Sequence, residues 1–145
     1  MRIIFGSDHN GREQVAALTE LMNTKWECVD VVSRDASLDD YIKVSSAVSR
    51  LVQRTKSIGI ILCGTGAGTA ICANKHKGIY AVTCFDPEQA KNAKRINNAN
   101  VLCIAASTPC EINLEIVRAF LTTHYRNRKL HRIKAVRVLE RSLLK

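Results

Sequence analysis

Three groups of residues in this 145-residue chain have the types and spacing to do chemistry. The first is Leu62-Cys63-Gly64-Thr65-Gly66-Ala67-Gly68-Thr69, in which three alternating glycines follow an apolar run. Glycine reaches backbone conformations that let successive N–H groups converge on one anion. A thiol placed beside a helix N-terminus is favoured as the thiolate, which suits a nucleophile or a base. The spacing is not that of a P-loop, and a dinucleotide-binding GxGxxG would need glycine where Thr69 stands. Against the catalytic reading, tight packing alone produces glycine-rich turns, and Cys63 could be a buried strand cysteine like Cys84 or Cys103. The second group is Asp8-His9, where the aspartate could cap a helix and the histidine could contact a phosphate or carry a proton. The third is Arg128 and Arg132, spaced i, i+4 so that a helix would project both from one face. Paired guanidiniums suit bidentate phosphate binding, although a solvated basic face has the same pattern.

The elements that must position these groups can be read from hydrophobic periodicity. Apolar runs at Arg2–Gly6, Glu27–Val32, Ile58–Cys63, Tyr80–Phe85 and Val101–Ala105 read as five strands. Between them fall helical stripes: Val15, Leu18 and Met22, then Val44, Val48 and Val52, then a helix from the glycine turn to about His76. A further helix spans Pro87 to about Ile96, another carries Ile112, Ile116 and Phe120, and the basic tail reads as helical from about Arg128. Strands alternating with helices predict an α/β fold, one parallel sheet covered on both faces. In such sheets ligands bind at the carboxyl ends of the strands. Asp8-His9 and the Cys63 loop both fall there. No repeat or linker divides the chain, so residues 1–145 are expected to form one domain.

Composition narrows the function classes. Hydrophobic residues make up 46% and charged ones 24%, a globular balance. The net charge of +9 points at first to a polyanion. Yet residues 126–145 hold eight Lys/Arg against one acid, whereas residues 1–125 hold fourteen against twelve. The basicity belongs to the tail. Aromatic content is only 5%, without a base-stacking platform, so no nucleic-acid partner is expected. No apolar run is long enough for a membrane span, and the start does not resemble a signal peptide. The six cysteines lack CxxC spacing and read as reduced thiols in a cytoplasmic protein.

Taken together, these positions resemble the type B ribose-5-phosphate isomerase family, which also contains galactose- and allose-6-phosphate isomerases. The likeness covers essentially the whole chain. Its markers are Gly6-Ser7-Asp8-His9, Asp40-Tyr41, Cys63-Gly64-Thr65-Gly66-Ala67-Gly68, Ala73-Asn74-Lys75 and Asn97-Asn98-Ala99-Asn100-Val101. The resemblance implies a Rossmann-like three-layer α/β/α sandwich and a homodimer, or a tetramer, with active sites at the subunit interface. It implies no cofactor and no metal. The reaction would interconvert an aldose and a ketose by proton transfer between C1 and C2 through a cis-enediolate. Cys63 matches the family's base, and Thr65 a hydroxyl that contacts the sugar. The amides of Gly64, Gly66, Ala67 and Gly68 match an anion hole. Asp8, His9, Tyr41 and Asn97 match substrate-binding positions, and Arg128 and Arg132 the phosphate arginines.

Three departures stand beside these matches. The family's ring-opening histidine is Ile96 here, a substrate arginine after the fifth strand is replaced near Ser107, and a proline after Asp-Tyr is Ile42. The resemblance as a whole makes ribose 5-phosphate the expected substrate. A hexose 6-phosphate, or sugar-phosphate binding with weak catalysis, is the alternative that Ile96 raises.

Overall fold

A computed structural model describes residues 1–143. The first apolar run becomes β1 (Arg2–Ser7), followed by α1 (Arg12–Met22), β2 (Glu27–Asp30) and a short α2 (Val31–Arg34). Next come α3 (Tyr41–Thr55), β3 (Ile58–Cys63), α4 (Ala67–Ala73) and β4 (Ala81–Thr83). The chain continues through α5 (Pro87–Asn97), β5 (Val101–Ala105), α6 (Cys110–Thr122) and α7 (Leu130–Ser142). The five strands form one sheet in the order β2-β1-β3-β5-β4, and every pairing is parallel. The expected three-layer α/β/α sandwich is therefore present.

Alternation of side chains across the strands builds two cores. Ile3, Phe5, Ile60, Leu62, Leu102 and Ile104 pack against Val15 and Leu18 of α1, Ala93 of α5 and Ile116 and Phe120 of α6. Ile4, Ile61, Val101 and Cys103 face the opposite way, onto Val44, Val48 and Val52 of α3 and Ala73 of α4. Because both faces are covered, β3 and β5 are apolar nearly throughout rather than alternating.

Some element boundaries differ from the sequence reading, each for a local reason. The second strand stops at Asp30 rather than Val32, because the Asp30 carboxylate accepts the Val32 N–H at 2.9 Å and starts a helical turn. The fourth strand is only Ala81–Thr83. Cys84 and Phe85 lead instead into α5, where Asp86 caps the helix through the Gln89 N–H at 2.8 Å. Helix α4 ends at Ala73, and the Asn74 side chain bridges to the backbone of Ala81 with two bonds of 2.8 Å. The tail helix begins at Leu130. Arg128 precedes it, so Arg128 and Arg132 do not share a helical face. Lys145, counted with the basic tail, lies outside the described residues.

Parallel strands joined by helices fix what each edge of the sheet can carry. All strands point their carboxyl ends the same way, while α5 runs back to the opposite edge. From β1 the chain goes to one side, to β2; β3 and β5 lie on the other. The carboxyl ends of β1 and β3 therefore flank the switch point where a ligand crevice opens.

Candidate active site

Cys63 closes β3 at that switch point, 5% exposed. Its Sγ accepts the Gly66 N–H at 3.1 Å and lies 3.6 Å from the Thr69 hydroxyl. The bond to Gly66 requires the loop to fold back sharply, and Gly66 does so with a φ of 77°. A Cβ there would also meet Thr83 Cγ2 at 2.9 Å and the Ile104 carbonyl carbon at 3.2 Å. Glycine is thus required both by conformation and by space. The Gly66 carbonyl is held by the hydroxyls of Thr69 at 3.0 Å and Thr83 at 2.9 Å. Ser107 donates to the Gly64 carbonyl at 3.2 Å, and Ala106 N–H to the Cys63 carbonyl at 2.8 Å. The thiol is therefore carried on a loop tied at both ends.

The loop amides divide into two kinds. The Gly66 N–H is committed to sulfur, and the Ala67 N–H to Thr65 Oγ1 at 3.4 Å. Those of Gly64, Thr65 and Gly68 have no acceptor among the described residues. The donors open to an oxyanion are therefore fewer than the full Gly64–Gly68 run, and Thr65 supplies its own N–H as well as an exposed hydroxyl. Burial pushes the Cys103 thiol up to about 12 and the Cys84 thiol up to about 11. All six cysteines are free.

Asp8 follows β1 and is 5% exposed. Its carboxylate accepts both the backbone N–H of Asn10 at 2.9 Å and the Asn10 amide at 3.2 Å. It makes an Asx turn rather than a helix cap, since α1 starts from Gly11 without a side-chain cap. His9 is exposed, with its backbone anchored on the Asp39 carbonyl at 3.3 Å. Tyr41 begins α3, whose first turn is capped by the Asp40 carboxylate through the N–H groups of Ile42 and Lys43, both at 2.8 Å. The Tyr41 ring lies so close over Gly68 that a Cβ there would come within 3.0 Å of it. The structure thus brings Asp8, His9, Tyr41 and the Cys63 loop to one edge of the sheet.

Asn97, Arg128 and Arg132 are elsewhere. Asn97 ends α5 at the amino edge, close to Asn100, whose side chain bonds the Tyr80 N–H at 2.8 Å just before β4. The Arg126 N–H donates to the Arg95 carbonyl at 3.1 Å and holds the segment before α7 against the end of α5. Arg95, Ile96, Arg126, Arg128 and Lys129 there line a pocket of about 200 Å³, with Ile96 36% exposed. Arg132 is exposed in the first turn of α7. A strand of five or six residues separates the two edges by roughly 16–20 Å. Within one chain these residues cannot meet Cys63.

Several residues that brace the site escape sequence reasoning. Gln14 donates to the carbonyls of Ala106 at 2.9 Å and Thr108 at 2.8 Å, and Asn113 donates to Gln14 at 2.8 Å and Ala105 at 2.9 Å. This pair shapes the turn after β5 that carries Ser107. For Asn10, the D-x-N spacing of an Asx turn was the available sign; Gln14 and Asn113 offered none.

A sequence profile of the family described as Ribose/Galactose Isomerase matches residues 3–136. The chain belongs to that family. Among proteins similar to this isomerase is the galactose-6-phosphate isomerase subunit LacA of Enterococcus faecalis, 34% identical over 86% of this chain and 89% of that one. A DNA damage-repair/toleration protein of Arabidopsis thaliana is 36% identical over 88% of this chain, which spans 41% of that longer protein. Among solved structures, ribose-5-phosphate isomerase B of Clostridium thermocellum superposes with a TM-score of 0.92 at 27% identity, covering 99% of each chain. Ribose-5-phosphate isomerase B of Mycoplasma genitalium with bound ribulose 5-phosphate gives 0.89 at 32% identity, over 97% of this chain and 96% of that one. The chain is an aldose–ketose isomerase of the sugar-phosphate class. No helix among the described residues is long and apolar enough to cross a membrane.

Proposed function

We propose that this isomerase interconverts ribose 5-phosphate and ribulose 5-phosphate through a cis-enediolate, with Cys63 as the base, in a homodimer. The observation that carries the reading is the Gly66 N–H on Cys63 Sγ, beside the open amides of Gly64, Thr65 and Gly68. Acting as the thiolate, Cys63 takes the C2 proton of the open-chain aldose. The electrons of that C–H bond form the C1–C2 double bond, and the C1 carbonyl becomes an oxyanion facing the free amides. The same thiol returns the proton to C1 while the O2 proton passes to O1, leaving the ketone at C2. Thr65 stands beside this path with its hydroxyl, and Asp8, His9 and Tyr41 line the remainder.

The separation of the two sheet edges supports the dimer. In this reading Asn97, Arg128 and Arg132 act on the Cys63 loop of the partner subunit, where the arginines hold the phosphate. Ile96 favours a second reading, a hexose 6-phosphate substrate or weak catalysis, because its side chain carries no proton for ring opening. Product formation from ribose, allose and galactose phosphates separates these: turnover of ribose 5-phosphate well above the hexoses supports the first reading, and the reverse order overturns it. Cys63→Ala is expected to lower kcat at least about a hundredfold with little change in melting temperature. Retained turnover would remove Cys63 from the mechanism.

A further inference from the structure

We propose a second anion site at the amino edge of the sheet, separate from the chain's own Cys63 loop, that takes a small molecule bearing two phosphate groups. The site is a cleft of about 610 Å³ in which Lys56, Lys77, Lys94, Arg137 and Arg141 face a single carboxylate, Glu140. That volume is within the range of small-molecule sites. Glu140 already accepts the Gly78 N–H at 2.6 Å. Among the described residues, none of the five cations is in an ion pair. The Lys94 ammonium donates to the Ala99 carbonyl at 3.0 Å and lies 5.4 Å from the centroid of the Phe120 ring, so its position is fixed with no carboxylate paired to it.

The geometry differs from that of an ordinary solvated basic face. Arg137 and Arg141 are four residues apart on α7, so both project from one face of the helix, and both line the cleft. Buried Ile133 and the Glu140–Gly78 bond hold α7 against the sheet edge. Lys56 approaches from the end of α3 and Lys77 from the turn after α4. The cations therefore converge from separate elements on one concavity. Five positive charges against one negative leave a net of four. A single phosphoryl group leaves about half of that unmatched, whereas a diphosphate, at about −3, or a bisphosphate, at about −3 to −4, matches most of it. Ile58, at the start of β3, lines the cleft, and Cys63 ends the same strand, about 16 Å away. This site does not rest on the isomerase reading.

The test is calorimetric titration of the full chain with inorganic pyrophosphate at about 150 mM salt, where exposed charges are screened. The expected result is saturable binding, one per chain, undisturbed by ribose 5-phosphate. Arg137→Ala with Arg141→Ala should weaken it at least about tenfold, while Arg128→Ala with Arg132→Ala should leave it within about twofold. Lys56→Gln with Lys77→Gln, which leaves α7 intact, gives an independent loss if the arginine variant is unfolded by circular dichroism. Absence of saturable binding, binding unaffected by both cleft variants, or displacement by ribose 5-phosphate would each overturn the proposal.

Discussion

At the scale of single residues, Cys63 matters less for its identity than for what holds it. Five other thiols occur in the chain, and burial raises Cys84 and Cys103 well out of the range in which they ionise near neutral pH. Cys63 alone among the six ends a strand at the switch point with a backbone N–H directed at sulfur. Gly66 makes that contact possible. Gly66→Ala would place a Cβ 2.9 Å from Thr83 in a left-handed conformation that itself costs about 1–2 kcal/mol. We expect a lower melting temperature and a fall in kcat larger than the fall in substrate affinity. An unchanged kcat would show that the N–H contact to sulfur is dispensable. The loop and Asp8-His9 were legible in the sequence because their signs are local: glycine spacing, a strand end, an adjacent pair. The bond of Ser107 to Gly64 and the roles of Gln14 and Asn113 were not, because the partners lie 43, 92 and 99 residues away.

At the scale of elements, the buried strands could be read directly, since apolar runs covered on both faces leave little else for them to be. Boundaries failed where a polar side chain competes with the periodic pattern. Asp30 converts Val31 and Val32 from strand to helix; α7, by contrast, has no side-chain cap and starts only at Leu130, which separates Arg128 from Arg132. Asp40 shows the same capping with a functional consequence, because the turn it caps carries Tyr41 over Gly68. The Lys43 N–H, then that of Ile42 and the Lys43 charge, hold the Asp40 carboxyl below the ordinary range despite some opposing desolvation. A depressed carboxyl stabilises the fold fully above its unfolded value, about pH 4, and that contribution is lost as pH falls through the lower folded value. Asp40→Asn keeps an oxygen for the cap without the charge. Its melting temperature should therefore decline less steeply than that of the wild type below about pH 4. Parallel acid limbs would show that the charge on Asp40 adds nothing to the cap.

At the scale of the whole molecule, the sheet divides the candidate site. Asp8, His9, Tyr41 and the Cys63 loop stand at the carboxyl edge, and Asn97, Arg128 and Arg132 at the amino edge. The matches to the family could be made residue by residue in the sequence, but this division could not, because it follows from the reversed direction of α5 relative to the strands. The same geometry leaves Ile96 exposed beside Arg128 rather than beside its own Cys63. Complementation between two inactive chains tests the resulting account most directly. Cys63→Ala and Arg128→Ala chains are unfolded together, refolded as a mixture and assayed on ribose 5-phosphate. If the site is shared between two subunits, half of the dimers are mixed and each holds one intact site, so the mixture should regain about a quarter of wild-type activity. A mixture no more active than the mean of its two parents, with mixed dimers shown to be present, would contradict it.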